Sequence, residues 1–128
     1  WGGDHRNVTT RISSEGGTKA RLEHRMADAS SNPYVAVAAV LQAARLGFVG
    51  GYDLPAMQTG DGFEKWDAKE ATALNLKGAV ADLKADTALT QAVGSLLVEN
   101  HVFMKEHEVK KTRDLEGDAL RDFYIWFV

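Results

Sequence analysis

The 128-residue sequence carries 18 acidic and 15 basic side chains, a net charge of −3, with 45% hydrophobic residues and no cysteine. Disulfides, thiolate nucleophiles and cysteine-ligated zinc are thereby excluded, and nothing in the overall charge points to nucleic acid or an anionic membrane. The length suits one compact domain or a large piece of one. We expect no signal peptide, no apolar run of the ~18–20 residues that span a bilayer, and a cytoplasmic setting. The arginines are unevenly spread. Four of the seven, Arg6, Arg11, Arg21 and Arg25, fall in the first 25 residues, ahead of an alanine- and leucine-rich remainder.

Residues 1–31 read as loops and strands punctuated by Gly2, Gly3, Gly16 and Gly17. Val8 to Ile12 is β-branched, Gly16-Gly17 offers a turn, and Arg21 to Met26 alternates, so a β-ribbon is predicted over about 7–27. Asn32-Pro33 opens a helix with Asn32 as cap, and Gly47 is its natural stop. Residues 50–67, with four glycines and Pro55, form a loop. A helix follows over about 70–84, with Leu76, Val80 and Leu83 on its apolar stripe. Asp86 caps a short helix ending at Gly94, Ser95 opens a longer one to about Arg113, and a last helix starts at Asp118. The fold class is α+β, a β-ribbon followed by a bundle of four to five helices, divided into a strand and loop segment 1–31 and a helical portion 32–128.

On a strand, Arg21, Glu23 and Arg25 share one face. One reading is a cross-strand surface ion network, worth ~0–1 kcal/mol per exposed pair. The other is a polyanion site. Guanidinium forks match phosphate and carboxylate oxygens, and a carboxylate between them can hold a divalent cation. Arg6 and Arg11 on the neighbouring strand strengthen the second reading, because a phosphoryl group in transfer needs its charge offset by arginine and Mg²⁺.

His5-Arg6-Asn7 followed by Arg11-Ile12 resembles the arginine motif of the glutamine synthetase catalytic domain. Arg21-Leu22-Glu23-His24-Arg25 resembles its Arg-x-Glu-x-Arg strand, and Asp28-Ala29-Ser30-Ser31-Asn32-Pro33-Tyr34 its Asp-x-(Ser/Ala)-x-Asn-Pro-Tyr stretch. Leu76 to Leu89 is more loosely similar to a family helix ending in an acidic Ala-Asp pair. The resemblance covers nearly the whole chain and marks it as the C-terminal portion of such a domain.

The resemblance implies an ATP-dependent ligase that joins glutamate to ammonia or a small amine through γ-glutamyl phosphate. Glu23 would ligate Mg²⁺ or Mn²⁺, Arg11 and Arg21 would contact ATP phosphates, and Arg6 and Arg25 would bind substrate and act in catalysis. It also implies a homo-oligomer, a dodecamer of two hexameric rings. His5, Asn7 and Ser13 depart from the usual asparagine, serine or threonine, and proline. The departures around Arg6 bring the chain nearer to divergent members that use ammonia or amines such as methylamine. Glu23 alone cannot complete an octahedral Mg²⁺ site, so the isolated chain is expected to be inactive. Alternatives are a non-catalytic assembly or regulatory module, and a related ligase or guanidino-kinase-like enzyme with another acceptor.

Other signals are set aside. His101 and His107, six apart on a helix, lie on different faces, unlike the i, i+4 spacing of helical zinc pairs. Tyr52-Asp53-Leu54-Pro55 resembles a tetrapeptide adenylylated in some bacterial members of that family, but it follows the Asn32 helix too closely and reads as loop. The apolar tail Phe123 to Val128 either docks on its own core or inserts into a partner subunit. The size of the patch and the resemblance favour insertion.

Overall fold

A computed structural model of the chain describes residues 1–3, 6–13, 15–28, 30–60 and 72–126. It divides into two units: residues 1–28 with the loop from Gly51 onward, and residues 29–50 with the chain from Thr72. The mixed α+β class holds, with one two-stranded sheet and five helices among the described residues.

The first unit is built on a hairpin. Strands β1 (Thr10–Ile12) and β2 (Leu22–His24) pair antiparallel, with Arg11 opposite Glu23. Backbone bonds from Arg25 N–H to Thr9 carbonyl (2.8 Å) and from Ser13 N–H to Arg21 carbonyl (3.0 Å) carry the pairing one residue further at each end. The ribbon is therefore shorter than the span 7–27. Residues 16–20 are spent on the crossing, where Gly16 and Gly17 sit at φ 65° and 54° and lead into a 3-10 turn, Gly17–Lys19. Side chains at those two positions would be strained. On the other edge of β1, buried Gly2 bridges in parallel to both Arg11 and Gln58. Trp1 Nε1–H donates to the Pro55 carbonyl at 2.8 Å, and Gln58 N–H to the Trp1 carbonyl at 2.9 Å. The loop at 51–60 is thus tied to the chain start.

The second unit is helical. Helix α1 (Pro33–Gly50) starts as expected, with Asn32 Oδ1 accepting from Tyr34 N–H (3.0 Å) and Val35 N–H (3.4 Å). It does not stop at Gly47. A glycine inside a helix costs only about 1 kcal/mol, and the helix runs through Phe48 and Val49 until Gly51 turns it off at φ 61°. The result corrects the expectation on apolar runs. Extended past Gly47, α1 has 18 residues with mean hydropathy 1.4, long and apolar enough by length and composition to cross a bilayer. It packs against the helix α3 (Thr87–Val93) of its own unit, although none of its residues is buried.

Helix α2 (Leu76–Ala85) begins later than residue 70 because Asn75 is the cap, its Oδ1 accepting from Gly78 N–H at 2.8 Å. A Cβ on Gly78 would meet the Ala73 side chain at 3.3 Å, so the glycine that weakens the helix on propensity permits this tight entry. Asp86 Oδ1 caps α3 by accepting from Leu89 N–H at 2.9 Å. Gly94, at φ 116°, ends α3 and starts α4 (Ser95–Thr112). Helix α5 (Gly117–Tyr124) follows. The core is small: Val80 from α2 with Val98 and Val102 from α4, flanked by Leu76, Leu83 and Val93. Each such valine contributes ~1.5–3 kcal/mol when fully buried.

Candidate functional site

The register decides which side chains share a face. Side chains alternate along each strand, so Arg11 and Ser13 stand with Arg21, Glu23 and Arg25 on one side of the hairpin. Ile12, Leu22 and His24 take the other, where Ile12 and Leu22 are exposed.

Glu23 is the hub of the polar face. Its Oε2 lies 3.3 Å from Arg11 Nη2, across the strand pair, and its Oε1 accepts from Arg25 Nη1, two residues along the same strand. The Arg11 side chain is 13% exposed and that of Glu23 34%. Two guanidinium groups close on one carboxylate leave a net positive cluster, and guanidinium groups match phosphate and carboxylate oxygens.

Arg21 shares the face but not the hub. Its Nη1 donates to Ser13 Oγ at 3.4 Å and to the Lys19 carbonyl at 3.3 Å. The carboxylate flanked by two arginines is therefore present, with Arg11 and Arg25 as its partners in place of Arg21 and Arg25. Arg6 lies in the bend before β1, is exposed, and forms no ion pair with another described residue. The structure thus brings together Arg11, Glu23 and Arg25 and sets Arg21 beside them on the same face, with no ion pair from Arg6 to any of them. His5 lies outside the described residues.

Ser13, buried at 7% exposure, is a further contributor, which sequence reading marked as a departure from proline without giving it a role in the site. Counting pairs outward from Gly16-Gly17 places it opposite Ala20; the observed register is one residue wider and places it opposite Arg21. Among the described residues no group of three His, Asp or Glu side chains could hold a metal ion. The hard oxygen donors of Glu23 suit Mg²⁺ or Mn²⁺ as one ligand of several.

A second polar cluster joins α5 to α4. Tyr124 O–H donates to Glu108 Oε1 at 2.7 Å and Lys105 Nζ to Glu108 Oε2 at 2.8 Å, beside a cavity of about 280 Å³ lined also by Met104, His107 and Phe123. Burial alone would push the Glu108 carboxyl up. The hydrogen bonds from Lys105 and Tyr124 outweigh it and hold that carboxyl below its ordinary range. Burial and then the bond to Glu108 raise Tyr124. Burial, followed by the Lys105 ammonium, lowers His101 against a smaller opposing pull from Glu108. Helix α5 therefore docks on its own chain, while Ile125 and Trp126 are 56% and 88% exposed. Phe127 and Val128, the end of the expected inserting tail, lie outside the described residues. The Tyr52 to Pro55 tetrapeptide is exposed loop.

Comparison with known proteins gives a concordant result. Residues 1–124 match the family model described as glutamine synthetase, catalytic domain. Lengsin of Rattus norvegicus is 25% identical over 98% of this chain and 22% of its own length. A glutamine synthetase of Halobacterium salinarum is 33% identical over 98% of the chain and 29% of its own length. A gamma-glutamylpolyamine synthetase of Streptomyces coelicolor is 28% identical over the same shares, 98% and 29%. The chain spans less than a third of the length of these relatives.

Proposed function

Because the chain belongs to the glutamine synthetase catalytic-domain family, we propose that it forms part of an ATP-dependent ligase joining the side-chain carboxylate of glutamate to an amine. The observation that carries this reading is the Arg11–Glu23–Arg25 cluster on one face of the hairpin, with Arg21 alongside. The reaction needs concentrated positive charge. A carboxylate oxygen is a poor leaving group until it is phosphorylated, and both the phosphoryl transfer and the later loss of phosphate build up negative charge.

In this proposal Arg11 and Arg21 bind the ATP phosphates. Arg6 receives the transferring phosphate together with the substrate carboxylate. Arg25 lies against the γ-carboxylate and steadies the acyl phosphate while the amine attacks its carbonyl carbon. Phosphate then departs with the C–O bonding electrons, and the amine loses a proton to give the amide. Glu23 is the residue of this chain suited to hold Mg²⁺ or Mn²⁺, which when bound would offset phosphate charge. A single carboxylate is not a complete site, so in this proposal Glu23 needs further oxygen ligands and the isolated chain does not turn over. Assembly into a homo-oligomer of stacked rings belongs to the same proposal.

The acceptor is either ammonia or a larger amine. The likeness to a relative named for polyamines favours the second. The test is ADP release by the complete protein with glutamate, ATP, Mg²⁺ and a panel of ammonia, methylamine and polyamines. We expect release that requires both glutamate and one of the amines, with the matching γ-glutamylamide formed. No glutamate-dependent release with any amine would overturn the ligase reading.

A further inference from the structure

We infer that Ser13 is a positioning residue: its side chain and backbone hold Arg21 for nucleotide phosphate and keep it off Glu23. This rests on the ligase reading, in which Arg21 contacts phosphate. It starts from a departure at a position where the resembling motif has proline. Proline has no N–H to donate and no hydroxyl. Here Ser13 N–H donates to the Arg21 carbonyl at 3.0 Å, and Ser13 Oγ accepts from Arg21 Nη1 at 3.4 Å. The same hydroxyl accepts from Glu15 N–H at 3.5 Å, which ties it to the turn. One residue therefore grips Arg21 at both backbone and guanidinium, and Ser13 is itself buried while Arg21 is exposed.

The grip has a geometric effect. Arg21 and Arg25 are both two residues from Glu23 on the same strand face and could compete for its carboxylate. Only Arg25 takes it, with Arg11 from across the ladder. Arg21 is drawn the other way by Ser13 and the Lys19 carbonyl at 3.3 Å. Both guanidinium bonds are long, so the group is steered rather than locked, and Nη2 is left to donate elsewhere. A guanidinium held in place loses less freedom on meeting phosphate than one that must first leave an ion pair.

The test uses the complete protein and titrates a non-hydrolysable ATP analogue with Mg²⁺ into the wild type, Ser13→Ala and Ser13→Thr, followed by steady-state kinetics. Ser13→Ala should weaken analogue binding about threefold to tenfold. The apparent KM for ATP should rise by a similar factor, with kcat at saturating ATP and the KM for glutamate held, and Ser13→Thr should restore both. Equal analogue binding by wild type and Ser13→Ala would overturn the inference and leave the ligase reading intact. A fall in kcat with both KM values disturbed would also overturn it, since that marks general damage to the hairpin. A wild type that binds no analogue would sink both.

Discussion

The hairpin unit and the helical unit are held together by different means. The hairpin has two three-residue strands, and its buried residues among those described are Gly2 and Ser13. Its order comes from backbone pairing, the Glu23 ion pairs and the Trp1 to Pro55 bond. The helical unit instead packs Val80, Val98 and Val102 and seals its helix starts with Asn32, Asn75 and Asp86. In the hairpin the groups that organise the backbone are also the groups proposed to meet substrate, so structure and chemistry change together there. In the helical unit they separate.

The sharpest way to break that comparison is at the hub. Arg25→Ala in the complete protein should lower ligase turnover about 10²–10³-fold while the helical circular dichroism signal and its unfolding midpoint hold. A parallel loss of helical stability would show that the units are not separable in this way. Next in size, Val98→Ala should cost about 2 kcal/mol in urea unfolding followed at the helical signal. Asp86→Ala should cost about 1 kcal/mol by removing the cap of α3, read in the same way.

Smaller still is Tyr124→Phe, expected to cost about 1 kcal/mol at neutral pH through loss of its bond to Glu108. Acid should produce the same undocking. The Glu108 carboxyl is held below its ordinary value in the fold, so the unfolded chain takes up its proton first. Its stabilising contribution is therefore full above the ordinary carboxylate range and is lost as pH falls through the lower, folded value. His101, lowered by burial and Lys105, acts in the same sense, its contribution fading as pH drops below its ordinary 6.5. Tyr124 fluorescence and helix content followed from pH 7 downward should show Glu108→Gln losing less than the wild type. The smallest effect is expected at the exposed Lys84–Glu106 pair, where Glu106→Gln should not move the unfolding midpoint measurably.

What the sequence disclosed follows the range of the forces involved. Caps act within three residues, so Asn32, Asp86 and the Gly94 break were readable, as was the paired character of the arginine-rich start. The end of α1 was not, because Gly47 is a stop only when the residues beyond it lack reason to continue, and Phe48 and Val49 continue. Face sharing of Arg21, Glu23 and Arg25 was readable from alternation alone. Which arginines reach the carboxylate was not, since Arg11 and Ser13 enter only through a register fixed by the width of the glycine turn. The Trp1 to Pro55 contact spans 54 positions and leaves no local trace.

The joints of the helical unit carry one more consequence. Asp86 alone separates α2 from α3, and Gly94 alone separates α3 from α4. With no slack at either joint, helical phase is transmitted from one element to the next. Each residue turns a helix by about 100° and advances it about 1.5 Å. Deleting or inserting a single residue within α3 would swing Val98 and Val102 out of register with Val80. This stretch should therefore reject length changes while accepting many substitutions.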